Sequence, residues 1–370
     1  MNRPAQATAT ADAVAVAEPS RSAVFELEDV VKVFGGGRRF LRGGSTGAVA
    51  VDSVSLDVFE GQTVGIVGES GSGKSTLARI MVDLHGATSG SVRFRGTEIA
   101  DVPNRSFRRQ VQYVFQDPYS SLNPRKSIGK TITEVLTKVA GLDGAAARQR
   151  LDELIGEVGL RAELADRYPH ELSGGQRQRV GIARALATGA TTLILDEPVS
   201  ALDVSVQAQI LSLLHDLKGE LDLTYVFIAH DLAVVESISD VVAVMYRGRL
   251  LEYGTADQVF NRPSHPYTRN LLEAVPVPGK RSRRERAAAP AAAPTAGDLG
   301  AVADPLEAGD AGANATEDTD AGDHACSFSP RCPLVQDRCR SERPPAVPLE
   351  APHTATCFEI DRLPVWSPAR

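Results

Sequence analysis

Residues Gly68-Glu69-Ser70-Gly71-Ser72-Gly73-Lys74-Ser75 constrain this chain more than any others. They fit the pattern G-x-x-x-x-G-K-[ST] at every fixed position. The flanks suit the pattern. Thr63-Val64-Gly65-Ile66-Val67 reads as a buried strand entering the loop, and Thr76-Leu77-Ala78-Arg79-Ile80-Met81 reads as a helix leaving it. Strand, glycine-rich turn and helix start together make an anion cradle. The glycines keep side chains away, so backbone N–H groups can close around phosphate oxygens, and the helix N-terminus adds its positive end. Lys74 is expected to reach the β- and γ-phosphates, and the Ser75 hydroxyl to ligate Mg²⁺. All of Gly68, Glu69, Ser70, Gly71, Ser72, Gly73, Lys74, Ser75 and Thr76 are therefore candidate nucleotide contacts. The plainer reading is a glycine-rich turn with no ligand, and Lys-Ser between a strand and a helix argues against it. The loop alone does not choose among kinase, GTPase, motor, repair protein and transporter.

The chain has 370 residues, enough for two domains or one domain with appendages. A net charge of −7 argues against a dedicated nucleic-acid binder, which needs a basic face. No apolar run is long enough to span a bilayer, and no apolar stretch follows the N-terminal positive charge as a secretory signal would require. A cytoplasmic location is expected, with any membrane contact made through a partner.

Residues 1–22 are Ala-rich without a periodic apolar face and read as a disordered arm. From 23 to 254, apolar runs alternate with helical patterns, which points to an α/β sheet domain. Buried strands are expected at 63–67, 111–115, 193–195, 225–229 and 241–245. A helical insert is expected at 127–165, within a helical subdomain of about 116–177. Residues 255–280 form a C-terminal extension. Residues 281–324 have linker composition, rich in Ala, Pro, Gly and Asp. A four-cysteine segment follows at 325–358, and 359–370 is a tail.

Two further motifs narrow the class. Thr191-Thr192-Leu193-Ile194-Leu195-Asp196-Glu197 is an apolar strand ending in two acids. A Mg²⁺-nucleotide site needs a carboxylate at a strand end, which Asp196 supplies, and Glu197 is placed to polarise a water attacking the γ-phosphate. Leu172-Ser173-Gly174-Gly175-Gln176 opens a helix and reads as a second anion site, with a hydroxyl, bare backbone and a positive helix end. One nucleotide does not need two such sites from one chain. The economical explanation is that Ser173, Gly174, Gly175 and Gln176 serve a nucleotide held by another subunit, the alternative being a plain N-cap.

In this order, the loop, Leu-Ser-Gly-Gly-Gln, the strand ending Asp-Glu, and His230 resemble the nucleotide-binding subunit of an ATP-binding cassette (ABC) transporter. The resemblance runs from about 24 to 278. Gln116-Asp117-Pro118-Tyr119-Ser120-Ser121-Leu122-Asn123-Pro124, Tyr168-Pro169-His170-Glu171-Leu172, His265-Pro266-Tyr267-Thr268 and Pro276-Val277-Pro278 resemble its oligopeptide/dipeptide importer branch. Val199 is a departure, where Thr is common. The resemblance implies a P-loop NTPase (RecA-like) α/β sheet core with an antiparallel β subdomain and an α-helical subdomain, plus a cysteine-rich C-terminal extension. It implies two such subunits sandwiching two ATP molecules head to tail, two transmembrane permease subunits, and a solute-binding protein outside the membrane. By it, Gln116 senses Mg²⁺ alongside Ser75 and Asp196, Ser173 and Gly175 contact the partner's γ-phosphate, and Asp203 lies at the dimer interface. Glu197 and His230 are catalytic. Phe34 stacks on adenine, with Phe40 a rival. The expected activity is ATP hydrolysis driving import at the cytoplasmic membrane face. Nickel or another small solute is the alternative cargo, and a soluble ABC ATPase of translation or DNA repair the alternative role.

Cys326, Cys332, Cys339 and Cys357 have spacing C-x5-C-x6-C-x17-C. In a reducing cytoplasm, four clustered cysteines suit a metal site better than disulfides. Zinc favours close C-x2-C pairs, which are absent, whereas four thiolates are the usual ligands of a [4Fe–4S] cluster. Tails of this pattern recur in the oligopeptide/dipeptide branch, and the cluster is what the resemblance suggests. Zinc is the second choice and free thiols the third.

Overall fold

A computed structural model describes residues 21–35, 47–116, 122–274 and 325–366. The arm expected at 1–22 (apart from its last two residues), Phe40, residues 117–121, Pro276-Val277-Pro278, the linker expected at 281–324 and the last four residues of the tail lie outside these.

Two sheets organise the described residues. The first is antiparallel, with strand order β2-β1-β4-β5, from β1 (Ala23–Phe34), β2 (Ala48–Phe59), β4 (Ser89–Phe94) and β5 (Thr97–Glu98). The second has eight strands in the order β11-β12-β10-β9-β3-β8-β7-β6. Its centre is parallel: β3 (Thr63–Val67), β6 (Val111–Val114), β7 (Thr192–Asp196), β8 (Thr224–Ile228) and β9 (Val241–Tyr246). β10 (Arg249–Thr255), β11 (Val347–Pro348) and β12 (Thr354–Ala355) extend it antiparallel. The five expected strands lie within a residue of the observed ones, because both faces of the parallel centre are largely buried and each strand is a mostly apolar run.

The alternation of side chains sorts those strands into two cores. Val64, Ile66, Ile194, Val226, Ile228, Ala243 and Met245 pack toward the antiparallel sheet with Phe25, Leu27 and Leu77. Val67, Leu193, Leu195, Tyr225, Phe227, Val242 and Val244 pack on the opposite face. There they meet helices α3 (Ile128–Lys138), α4 (Gly144–Glu157), α5 (Gly174–Leu186) and α6 (Val204–Leu221). Each such fully buried aliphatic side chain contributes about 1.5–3 kcal/mol. The other α-helices among the described residues are α1 (Lys74–Met81), α2 (Asn104–Gln110), α7 (Leu232–Ile238), α8 (Ala256–Asn261), α9 (Pro266–Glu273) and α10 (Asp337–Ser341).

Residues 325–366 are sewn onto this body. β12 adds to β10 through Glu252↔Ala355 and Tyr253↔Thr354. Buried Glu252 accepts the N–H groups of Ser264 at 2.6 Å and His265 at 2.9 Å, and pairs with His353 Nε2 at 2.8 Å. One carboxylate thus ties β10, the entry to α9 and the C-terminal segment together. No helix among the described residues is long and apolar enough to cross a membrane.

Candidate nucleotide site

The loop leaves the C-terminal end of β3 at the centre of the parallel sheet, where strands β3, β7 and β8 end together. Two of its glycines are forced by neighbouring backbone. A Cβ on Gly68 would lie 2.1 Å from the Met245 carbonyl oxygen, and one on Gly73 2.3 Å from that of Ala50; both residues also have positive φ. Gly73 is the N-cap of α1, so the first N–H groups of that helix have no intrahelical acceptor and face the loop. Lys74 is folded into this turn. Its Nζ donates to the carbonyls of Gly68 and Glu69, both at 2.9 Å, with the Ser72 hydroxyl at 3.4 Å. Burial pulls its ammonium below the usual lysine range, opposed by the carboxylates of Glu197 and Asp196.

The end of β7 meets the loop. Ser75 Oγ donates to Asp196 Oδ1 at 2.9 Å, and the Tyr113 hydroxyl hydrogen-bonds the other Asp196 oxygen. Burial, then Asp196, pushes the Tyr113 phenol well above its usual range, so it stays a donor. Glu197 is the first residue beyond β7 and has φ of +48°, a backbone conformation that costs a residue with a side chain roughly 1–3 kcal/mol. Its N–H donates to the Ile228 carbonyl at 2.9 Å. So held, its Oε2 accepts from Gln116 Nε2 at 2.9 Å and lies 3.4 Å from His230 Nδ1. Gln116 and His230, distant in sequence, converge on the Glu197 carboxylate.

Phe34 ends β1 opposite Ala48, two residues before the Ala50 carbonyl that abuts Gly73. Its ring is 39% exposed, edge-on to His85 at 5.5 Å, with Lys32 Nζ 5.1 Å from its centroid.

Ser173 caps α5 in a closed box: its hydroxyl accepts from Gln176 N–H at 3.3 Å, and Gln176 Oε1 accepts from Ser173 N–H at 3.0 Å. The two glycines have an internal cause. A Cβ on Gly175 would sit 2.4 Å from Val206 Cγ1, and one on Gly174 3.1 Å from Leu202 Cδ2. Among the described residues, no hydrogen bond or ion pair joins 173–176 to the loop at 68–76. Asp203 caps α6 by accepting from Val206 N–H at 3.0 Å, and its hydrogen bonds from Ser205 and Val206 hold its carboxyl below the usual range. The next residue, Val204, is 81% exposed, a large apolar side chain left bare at the rim.

Comparison with known proteins agrees with this geometry. The ABC transporter profile matches residues 51–200, and that of the oligopeptide/dipeptide transporter C-terminal region matches 251–339. A probable peptide ABC transporter ATP-binding protein of Sinorhizobium fredii is 47% identical over 312 residues, covering 83% of this chain and 82% of that one. This chain belongs to the ABC transporter ATP-binding family. An oligopeptide transport ATP-binding protein of Bacillus subtilis is 40% identical over 91% of this chain and 98% of its own. A solved dimeric ATP-binding cassette, in a post-hydrolysis state with ADP and Pi, superposes with a TM-score of 0.55 at 30% identity. It covers 63% of this chain and 98% of that chain. The sheet-and-helix body is thus an ABC ATPase fold.

Within this ABC subunit, sequence reasoning missed three supporting groups. Tyr113 holds the second oxygen of Asp196. Gln207 Nε2 braces the 199–202 loop by donating to the carbonyls of Val199 and Leu202, both at 3.0 Å. The Tyr267 hydroxyl accepts the Glu69 N–H at 3.0 Å. None carries a spacing signal, since each acts across a long sequence separation or on backbone.

Cys326, Cys332, Cys339 and Cys357 line one small pocket with His265, Phe328 and Glu359. Burial pushes the Cys326 and Cys332 thiols up, and the Cys357 thiol to about 11. Among the described residues no three His, Cys, Asp or Glu side chains come close enough to hold one metal ion. Neither the expected [4Fe–4S] cluster nor zinc, the second choice, gains support from that separation.

Proposed function

We propose that this chain is the ATP-hydrolysing subunit of an importer for oligopeptides or dipeptides. The observation that carries the reading is the convergence of Gln116 and His230 on Glu197 beside the Ser75–Asp196 pair. In-line attack on a γ-phosphate needs an oriented water, a proton acceptor and neutralised oxygens. Glu197 accepts the proton of the attacking water, and His230 and Gln116 fix its carboxylate. Lys74 and the N–H groups at the start of α1 draw charge from the phosphates. Ser75, Asp196 and Gln116 offer oxygen donors that fit Mg²⁺. Held there, the ion would supply positive charge to offset that of the phosphates. Phe34 offers a half-exposed ring for the adenine.

Ser173, Gly174, Gly175 and Gln176 serve the ATP of a second subunit, with Asp203 at the seam. The separation of 173–176 from this chain's own loop and the bare Val204 support that reading. A groove of about 650 Å³ lined by Pro124, Glu163, Asp166, Arg167, Tyr168 and His170 lies on the helical layer and suits a permease segment at the cytoplasmic membrane face. Through the permeases the subunit would serve an extracytoplasmic solute-binding protein. The gathering of Cys326, Cys332, Cys339 and Cys357 in one pocket supports reading them as thiolate ligands of a [4Fe–4S] cluster. Iron and sulfide assayed on anaerobically purified chain identify it, whereas one equivalent of zinc without iron contradicts it.

Right-side-out vesicles with internal ATP, the permeases and the solute-binding protein test the function. They are expected to accumulate a labelled dipeptide or oligopeptide, and Lys74→Ala to abolish accumulation. Uptake of nickel with none of peptide would overturn the cargo.

A further inference from the structure

Glu69 puts a carboxylate in a loop shaped for a triphosphate, where like charge repels the ligand. The structure turns that carboxylate outward. Its oxygens accept from Arg331 Nη1 at 2.9 and 3.0 Å, and its N–H is fixed on the Tyr267 hydroxyl at 3.0 Å. Arg331 lies 262 residues further along the chain. Its guanidinium sits 5.9 Å from the Tyr246 ring centroid and 5.8 Å from that of Phe328. Phe328 has no exposed surface and packs edge-on to Tyr246 and against Tyr267. The donor is thus anchored in an aromatic cluster, although its charged end reaches the loop.

The same C-terminal segment grips the loop's other shoulder. Arg343 donates to the Asp52 carboxylate at 3.3 Å and to the Asp52 carbonyl at 3.1 Å. Asp52 N–H donates to the Gly248 carbonyl at 2.9 Å, and Gly248 N–H to the Ser72 carbonyl at 2.9 Å.

We propose that Arg331 is a positioning residue of the nucleotide site: it neutralises Glu69 and holds that carboxylate off the triphosphate, so the C-terminal segment sets affinity for ATP. The proposal rests on the nucleotide reading of the loop. Arg331 acts through Glu69, and the pair is half-exposed (51% and 42%), which makes the effect modest and salt-sensitive.

Titration calorimetry of the full chain with MgATP, alongside steady-state kinetics, tests it. Arg331→Met is expected to weaken ATP binding about 3- to 5-fold, with kcat at saturating ATP retained. Glu69→Gln loses the same ion pair but leaves no uncompensated charge, and is expected to bind at least as well as wild type. Glu69→Gln/Arg331→Met is expected to match Glu69→Gln, and Arg331→Lys to keep most of the affinity. Wild-type affinity in Arg331→Met would overturn the proposal. So would equal weakening in Glu69→Gln or in the double variant, which would make the pair a mere brace. Lys74→Ala separates the two readings: if it binds ATP normally, the loop assignment itself fails, whatever Arg331 does.

Discussion

Asp57 shows how one charge can be placed at a cost. It stands directly opposite Glu26 across the β1–β2 ladder, a like-charge pair on one face. Burial, reinforced by Glu26 and Glu28, holds its carboxyl above the usual range. The folded state then binds more protons than the unfolded one between the unfolded value near 3.8 and the raised folded value. Stability therefore falls as pH rises through that window and stays reduced above it. Asp57→Asn is expected to stabilise the chain by roughly 0.2–1 kcal/mol at pH 7. The gain should vanish once the acid is protonated in both states, which urea midpoints at neutral and acidic pH would show. At the proposed catalytic residues the balance differs. Glu197 is held in a left-handed backbone, and that strain sits where its carboxylate must meet Gln116 and His230.

Among the elements, the junction of α5 with the start of α6 rests on the absence of one methyl group. A Cβ at Gly175 would lie 2.4 Å from Val206 Cγ1, and neither the helix nor a short β-branched side chain can move far. Gly175→Ala is expected to destabilise by about 1–3 kcal/mol, and Val206→Ala to recover part of that loss in the double variant. Thermal unfolding of the four proteins measures the coupling, and additive losses would contradict the packing argument. The sequence signals at this junction were partial. Ser-Gly-Gly-Gln announced a capped helix, but not Val206, because packing between helices leaves no mark on spacing. The parallel strands were legible, since two-sided burial makes each a short apolar run. β11 and β12, two residues each, carry no such pattern.

Across the whole molecule, ends of the chain that look separate are joined by a few charged groups. Glu252 collects donors from Ser264, His265 and His353, and Arg331 reaches the loop from the far side of the described sequence. Composition marked 325–358 as distinct, yet gave no hint that it would complete the sheet edge and touch the nucleotide loop. The catalytic reading also spans the molecule, because Ser75 in α1, Gln116 after β6, Asp196 and Glu197 at the end of β7 and His230 after β8 meet only in the fold. Comparing ATP binding and turnover in the assembled transporter, wild type against Glu197→Gln, tests that reading most directly. Glu197→Gln is expected to bind MgATP like wild type and to turn over at least about 100-fold more slowly. Hydrolysis at the wild-type rate would contradict it.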